Sequence, residues 1–376
     1  MKIFQIMDTL TSTGGVNTFV FDLCIALKRQ GEDVTLIGLI GDRSQEATLA
    51  DYVKKEGIPV YCLWFSSKKE AVLHGVRKLR RLVKSLSNGE PSVCNLHLKL
   101  SVLIGGISTW GLRNIKCVET YHAYYRDYWL EYKLMRFRIK KYIGCSCSAT
   151  KEFVKRFCHN ERFVVCIPNG IDAENLKNNI GRISRREKKN AVFLSVGRLT
   201  EQKNLHITAE AFSRIDPQRG VYRIIGKGPM RDAVVNASKG SSSVEFLGTV
   251  PRSAVVDELF NADMVVMPSL WEGLSIFMLE AIAMEKPMMI ADVESLRDVL
   301  DEPQLEENEA WRRCSWGYLV STSNSRAYFE AAEDFLNHPD YGDKMSESIG
   351  KFKDRYSIET TARDYAQLYN ELIRKT

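Results

Sequence analysis

Ala191-Val192-Phe193-Leu194-Ser195-Val196-Gly197-Arg198-Leu199-Thr200-Glu201-Gln202-Lys203-Asn204 is the stretch on which the fold turns. The apolar run predicts a buried strand over 191–196, Gly197 permits a tight turn, and a helix opens at Leu205. Strand, turn and helix in that order begin a βαβ unit. This one follows a break. Pro168-Asn169-Gly170 interrupts the preceding pattern, and residues 175–190 are polar, charged and aperiodic, which places a domain boundary there.

Beyond the break the alternation continues, with strands expected at 222–225, 244–247, 264–267 and 287–291. Helices are expected from Leu205 and Met230 and over 253–261 and 274–284. Ahead of it, residues 3–7 predict a strand and 8–15 a polar loop ending in Gly14-Gly15. Val16, Phe19, Val20, Leu23, Ala26 and Leu27 then recur at helical spacing, Gly31 stops the helix, and 34–40 is the next strand. Further strands are expected at 60–64, 93–96, 116–120, 143–146 and 164–167. Each half therefore predicts a parallel sheet covered by helices, and the fold class is α/β with two doubly wound Rossmann-like domains facing a central cleft. The expected division is 1–168, 169–356, and a C-terminal helix within 357–376 that packs back on the first domain.

The chain has 376 residues, 44% hydrophobic and 27% charged, enough for two ordinary globular cores. A net charge of +6 suits phosphates or an acidic membrane surface and is too weak to argue for nucleic acid. Nine cysteines show no metal-ligand spacing, only a lone Cys145-x-Cys147, and read as reduced thiols of a cytoplasmic protein. Met1-Lys2-Ile3-Phe4 runs straight into a strand pattern rather than a secretory signal. The longest weakly polar run, 100–112, falls short of the ~20 residues that span a bilayer. Any membrane contact is therefore expected from the side, at the inner face.

Two groups of residues carry candidate chemistry. Arg198 and Lys203 share one loop at a strand end and could clamp a diphosphate from two directions; a solvated basic loop is the plainer alternative. Glu272 and Glu280 lie eight residues apart around the predicted start of a helix. Eight residues of helix, a little over two turns, span about 12 Å, near the reach from the sugar to the ribose of a nucleotide sugar. Carboxylates would repel the diphosphate and so belong at its ends, accepting hydrogen bonds from hydroxyls. The backbone N–H groups from Leu274 through Ser275 to Ile276 would face the phosphates. A first-turn glutamate and a surface glutamate are the plainer reading of the pair.

Taken in order, the chain resembles the family 4 retaining glycosyltransferases of the GT-B fold (glycosyltransferase group 1). The resemblance rests on Gly14-Gly15-Val16, Val118-Glu119-Thr120-Tyr121-His122, Ile167-Pro168-Asn169-Gly170-Ile171-Asp172 and Val196-Gly197-Arg198 with Lys203-Asn204. It continues through Ile225-Gly226-Lys227-Gly228-Pro229, Phe246-Leu247-Gly248, and Pro268-Ser269 leading to Glu272 and Glu280. It implies that Arg198 and Lys203 hold the donor diphosphate, that Glu272 and His122 meet the donor sugar, and that Glu280 meets the ribose. Gly14, Gly15, Gly197 and Gly226 would approach the donor closely, and the loop of Gly248 and Thr249 would frame the base. Ser275 and Glu285 stand where the family usually has glycine.

The resemblance further implies a metal-independent hexosyltransferase with no cofactor and a UDP-sugar, or else a GDP-sugar, as donor. The anomeric configuration would be kept, with the departing phosphate helping to deprotonate the acceptor. The chain has no Asp-x-Asp, and two cations and a helix terminus could supply the counter-charge. The expected acceptor is a saccharide or a polyprenyl-diphosphate-linked saccharide in cell-surface polysaccharide or glycoconjugate synthesis. A sugar-nucleotide 2-epimerase of similar fold and a non-catalytic nucleotide-sugar-binding protein are the alternatives. A dehydrogenase fits less well, since Gly226-Lys227-Gly228-Pro229 lacks the third glycine of a dinucleotide fingerprint.

Two basic, aromatic or apolar segments bear on the membrane. Lys68, Lys69, Arg77, Lys78, Arg80, Arg81 and Lys84 interleave with Val72, Val76, Leu79, Leu82 and Val83, and read first as a surface helix with its apolar face in the core. Residues 124–142 mix Arg126, Lys133, Arg136, Arg138, Lys140 and Lys141 with Tyr128, Trp129, Leu134 and Phe137, and are the better candidate for an anionic lipid surface.

Overall fold

The structure, a computed structural model, describes residues 1–11, 14–41, 50–122, 129–157, 160–180 (backbone only for 177–180) and 190–374. The chain forms two units, Met1–Ile171 with Tyr356–Thr376, and Asp172–Arg355.

In the first unit the strands are β1 (Lys2–Thr9), β2 (Asp33–Ile40), β3 (Val60–Phe65), β4 (Ser92–His97), β5 (Ile115–Tyr121), β6 (Ile139–Gly144) and β7 (Val164–Cys166). They pair in parallel in the order β3-β2-β1-β4-β5-β6-β7. Every residue of β4 is buried, as befits a central strand with both faces covered. The helix Gly15–Arg29 buries Phe19, Val20, Leu23, Ala26 and Leu27. It ends where Gly31 (φ +86°) lets Gly31 N–H reach Lys28 O and Glu32 N–H reach Leu27 O, a Schellman closure.

The expected strand at 143–146 lies four residues earlier in its start. Cys117 pairs with Ile139 and Val118 with Lys141, so Lys140 is the extra residue of a bulge and turns outward while Ile139 and Tyr142 stay buried, and the mixed run is a strand all the same. Ser146 instead caps the helix Cys147–Arg156, its Oγ accepting from Ala149 N–H at 3.1 Å. The segment 124–142 is not one amphipathic stretch: it divides into the helix Trp129–Met135 and β6, and Tyr124, Arg126 and Tyr128 lie outside the described residues.

Gly170 has a specific packing role. A Cβ there would lie 2.6 Å from Ser357 O, because Ile171 pairs with Ser357 in a parallel bridge. Ile171 N–H donates to Tyr356 O (2.8 Å) and Ile358 N–H to Ile171 O (3.1 Å). The final helix, Ile358–Arg374, then packs on the helix Gly15–Arg29 and buries Ala362, Tyr365 and Tyr369.

In the second unit the strands are β8 (Ala191–Val196), β9 (Gly220–Ile225), β10 (Val244–Gly248), β11 (Met264–Met267), β12 (Met288–Ala291), β13 (Trp311–Cys314) and β14 (Gly317–Val320). Their order is β10-β9-β8-β11-β12-β14-β13, parallel except for β13 against β14. The β13–β14 hairpin is not apparent from the pattern of the sequence. The helix Ala173–Ile180 occupies the start of the stretch that reads as aperiodic. At the centre of this core Phe212 stacks on Tyr222 with centroids 4.5 Å apart, and Phe193 packs on Phe212 at 4.8 Å with its ring tilted by 60°. Each sheet reverses its strand order once, between β1 and β4 and between β8 and β11. In open α/β sheets such a reversal leaves a crevice at the carboxyl ends of the strands, where ligands bind.

Candidate functional site

At the second reversal the loops leaving β8 and β11 meet. Leu270 N–H donates to Gln202 O (2.8 Å), and Gln202 Nε2 donates to Trp271 O (2.9 Å). Lys203 pairs with the buried Glu272, whose Oε1 also accepts from Ser269 Oγ at 2.7 Å. The glutamate is thus held by one cation, one hydroxyl and, at 3.5 Å, the Gln202 amide on its Oε2, and keeps lone pairs for further donors. Arg198, on the same loop as Lys203, is exposed and makes no ion pair among the described residues.

The loops after β8, β9 and β10 interlock at the same end of the sheet. Gly197 N–H donates to Ile225 O (3.0 Å) and Gly226 N–H to Gly248 O (2.7 Å). Gly226 has φ +145°, and a Cβ on it would sit 1.8 Å from Gly197 O. Only glycine permits that approach. Gly248 (φ +67°) and Thr249 are exposed in the third loop.

The helix expected over 274–284 starts at Ile276 and ends at Ala283. Leu274 and Ser275 precede it, and Ser275 O accepts the first intrahelical hydrogen bond from Leu279 N–H (3.2 Å), so the N–H groups of Ile276, Phe277 and Met278 come before that bond. Glu272 lies four residues ahead of the helix. The spacing from Glu272 to Glu280 is therefore not two helical turns, because Gly273 and Leu274 run as loop. Glu280 is buried on the helix and paired with Arg252, which starts the helix after β10. Ser269 belongs to the quoted Pro268-Ser269 motif, whereas Arg252 and Gln202 carry no signal in the sequence beyond their position just past strand ends.

At the first reversal the Asp8 carboxyl, near the end of β1, accepts from Leu100 N–H (3.3 Å) and Ser101 N–H (2.7 Å), and two neutral histidines lie on the neighbouring strands. Gly14 (φ +109°) precedes the first helical residue, Gly15, and Thr18 N–H donates to Gly14 O at 3.1 Å. His122, one residue past β5, is buried against Phe19 (centroids 5.7 Å apart). Its Nε2 lies 2.8 Å from His97 Nδ1, and His97 Nε2 lies 2.7 Å from Gln5 Oε1. Burial pushes the His122 imidazole down to about 3 and holds His97 well below the usual histidine range, so both are neutral. A strand-terminal histidine next to β1 was the available signal for His97. Gly14, Gly15 and His122 belong to the first unit, and Gly197, Arg198, Lys203, Gly226, Gly248, Thr249, Glu272, Leu274, Ser275, Ile276 and Glu280 to the second.

A groove of about 440 Å³ lined by Asn190, Arg219, Asp263 and Phe335 lies at the amino ends of β8 and β9, the opposite end from these loops. It carries none of the motif residues. Among the described residues no cluster of three or more histidine, cysteine or acidic side chains is arranged to hold a metal. No described helix is long and apolar enough to cross a membrane.

Two family models match the chain in tandem: Glycosyltransferase Family 4 over residues 13–175 and Glycosyl transferases group 1 over 177–352. A relative from Escherichia coli, a UDP-Gal:alpha-D-GlcNAc-diphosphoundecaprenol alpha-1,3-galactosyltransferase, is 26% identical over 77% of this chain and 78% of its own. Among solved structures, sucrose-phosphate synthase from Thermosynechococcus elongatus superposes with a TM-score of 0.76 at 16% identity, covering 100% of both chains. A Staphylococcus aureus TarM variant solved with UDP gives 0.74 at 12% identity, covering 98% of this chain and 99% of its own. The likeness to these structures shows the fold, two parallel-sheet α/β domains of the GT-B type. The chain belongs to the group 1, family 4 glycosyltransferases of the GT-B fold.

Proposed function

We propose that this glycosyltransferase transfers a hexose from a UDP-sugar to a polyprenyl-diphosphate-linked saccharide with retention of configuration and without a metal ion. The observation that carries the proposal is the convergence after β8 and β11, where an exposed Arg198, Lys203 held by Glu272, and the start of the helix Ile276–Ala283 lie at one strand reversal. Arg198 and Lys203 would hold the diphosphate. The N–H groups at the helix start would stabilise charge building on the departing phosphate. Glu272 and Glu280 would accept hydrogen bonds from the hydroxyls of the sugar and ribose. The phosphate, once released, would take the acceptor's proton on the same face. The E. coli relative, named for UDP-Gal and a diphosphoundecaprenol-linked acceptor, supports the choice of donor and acceptor class. In this reading the first domain binds the acceptor and the second the donor.

An acceptor of that kind lies in a membrane, and the first unit carries a surface suited to one. The helix Lys68–Ser87 buries Ala71, Gly75, Leu79 and Val83 and leaves Leu73 76% exposed among its lysines and arginines. Trp129, Leu130, Leu134 and Phe137 are exposed on and just after the helix Trp129–Met135, with Lys133 over the Trp129 ring at 3.7 Å. Basic groups flanking exposed aromatics fit an anionic bilayer at the inner face of the cell membrane.

Calorimetric titration with UDP, GDP and their hexose derivatives, followed by turnover with and without a lipid-linked acceptor, tests the reading. A UDP-hexose should bind, and Arg198→Ala should weaken UDP by about 10- to 100-fold, the value of one or two charge-assisted hydrogen bonds, without lowering Tm. Unweakened UDP binding in Arg198→Ala would remove the diphosphate assignment. Donor consumption that ignores the acceptor would favour an epimerase. Co-sedimentation with phosphatidylglycerol vesicles, reduced in Trp129→Ala/Phe137→Ala, checks the membrane surface.

A further inference from the structure

Gln5 on β1, His97 at the end of β4 and His122 just past β5 come from three strands that neighbour one another at the first reversal. Gln5 is fully buried, and its Nε2 donates to Tyr369 Oη on the final helix at 3.3 Å, which turns its Oε1 toward His97. A carbonyl oxygen can only accept, so the proton of His97 sits on Nε2. The neutral ring then has a bare Nδ1, and that atom faces His122 Nε2 at 2.8 Å. His122 Nε2 must donate, which leaves His122 Nδ1 as a bare lone pair. That atom is buried and has no hydrogen-bond partner among the described residues. The ring is nine-tenths buried, held at 26° to the His97 ring and edge-to-face with Phe19.

An unmatched buried acceptor is costly unless a ligand supplies the donor. We propose that Gln5 and His97 are positioning residues: they fix the tautomer of His122, so that His122 offers an acceptor and selects a ligand hydroxyl over a phosphate or carbonyl oxygen. The inference rests on the glycosyltransferase reading and extends it by naming what His122 requires, a sugar hydroxyl that donates to Nδ1. It also ties the last helix to this chain of hydrogen bonds, because Tyr369 Oη accepts from the Gln5 amide.

Long-range ¹H–¹⁵N correlation spectra of the full chain labelled at its six histidines test the tautomers directly, with His122→Gln supplying the assignment. His97 and His122 should both show a protonated Nε2 and a bare Nδ1. In Gln5→Met the His122 tautomer should become mixed. The kcat/KM for sugar transfer should fall at least tenfold, while the affinity for free UDP, which carries no sugar hydroxyl, stays within about twofold. Tyr369→Phe, which keeps the ring in the core, should shift the tautomer in the same direction by less. A protonated Nδ1 on His122 in the unaltered protein overturns the proposal, whatever the variants do. So does a tautomer and a turnover unmoved by Gln5→Met. The expected spectra in a chain that binds no nucleotide sugar would uphold the positioning role and refute the donor reading instead.

Discussion

The two sheets share a topology and differ in the electrostatics of the same place. At the reversal between β8 and β11 the chain gathers charge: Lys203 with Glu272, Arg252 with Glu280, and Arg198 exposed. At the reversal between β1 and β4 a buried chain of neutral groups runs from Tyr369 through Gln5 and His97 to His122, and the Asp8 carboxyl there is taken up by the N–H groups of Leu100 and Ser101. The carboxyl ends of the strands define where a ligand can lie in each unit, and the side chains decide what it can be. Cations beside hydrogen-bonded carboxylates suit a diphosphate flanked by hydroxyls. A neutral, directional acceptor suits a hydroxyl alone.

Glycines at the two reversals separate close packing from backbone freedom. Gly226→Ala places a Cβ 1.8 Å from Gly197 O at a φ of +145°, so the loops after β8 and β9 must part. Strain of that kind together with a backbone clash should cost about 3–5 kcal/mol. Gly14→Ala meets nothing closer than Asn17 Nδ2 at 3.9 Å and suffers only from its φ of +109°, at about 1–3 kcal/mol. Urea unfolding with limited proteolysis, which reports the unit that opens first, checks both. Equal costs would mean that the β8 and β9 loops are not packed as tightly as the comparison requires.

The same contrast predicts which unit is sensitive to acid. His97 and His122 have folded-state values depressed by burial, His122 to about 3, against an ordinary value near 6.5. Between those values the unfolded chain binds more protons than the folded one. The stability these rings allow is fully present above about pH 6.5 and is lost as pH falls toward 3, at up to about 1.4 kcal/mol per pH unit for each ring. Acidification from pH 7 to 5 should therefore loosen the first unit before the second, read by hydrogen exchange along β4 and β5. Replacing His97 by Gln should flatten the slope. Exchange that begins instead in β8 and β11 would break the comparison.

Much of the fold was legible because buried parallel strands are continuous apolar runs. Residues 191–196 and 264–267 coincide with β8 and β11 for that reason. The β13–β14 hairpin was not, since β13 is an edge strand reading Trp311-Arg312-Arg313-Cys314, and Arg313 is tied to Asp334 on a helix distant in sequence. In the candidate site, Arg198, Lys203, Glu272 and Glu280 stood out because charged residues just past strand ends are conspicuous. Ser269 entered only as part of a motif, without its bond to Glu272, and the partners Gln202 and Arg252 did not stand out. Gln5 and His97 sit in apolar runs, where nothing local separates a buried hydrogen-bonding side chain from a packing one. Those pairings exist only once strands far apart in sequence lie side by side.

The smallest effect concerns the helix that carries Glu280. It ends as the helix Gly15–Arg29 ends: Glu285 N–H donates to Ile282 O (3.0 Å) and Lys286 N–H to Ala281 O (2.9 Å), the same Schellman closure. In the first unit Gly31 takes the left-handed position; in the second Glu285 does, at φ +55°. An L-residue there costs about 1 kcal/mol relative to glycine. Glu285 recovers part of it through its ion pair with Lys353, a partly exposed contact worth at most about 1 kcal/mol. Glu285→Ala should therefore destabilise the second unit by a few tenths of a kcal/mol, losing the pair and keeping the strain. Glu285→Gly should come out more stable than Glu285→Ala by about 1 kcal/mol, read as a urea midpoint at constant slope. If glycine instead falls below alanine, the left-handed backbone at Glu285 carries no strain, and the likeness between the two helix ends is one of hydrogen bonds alone.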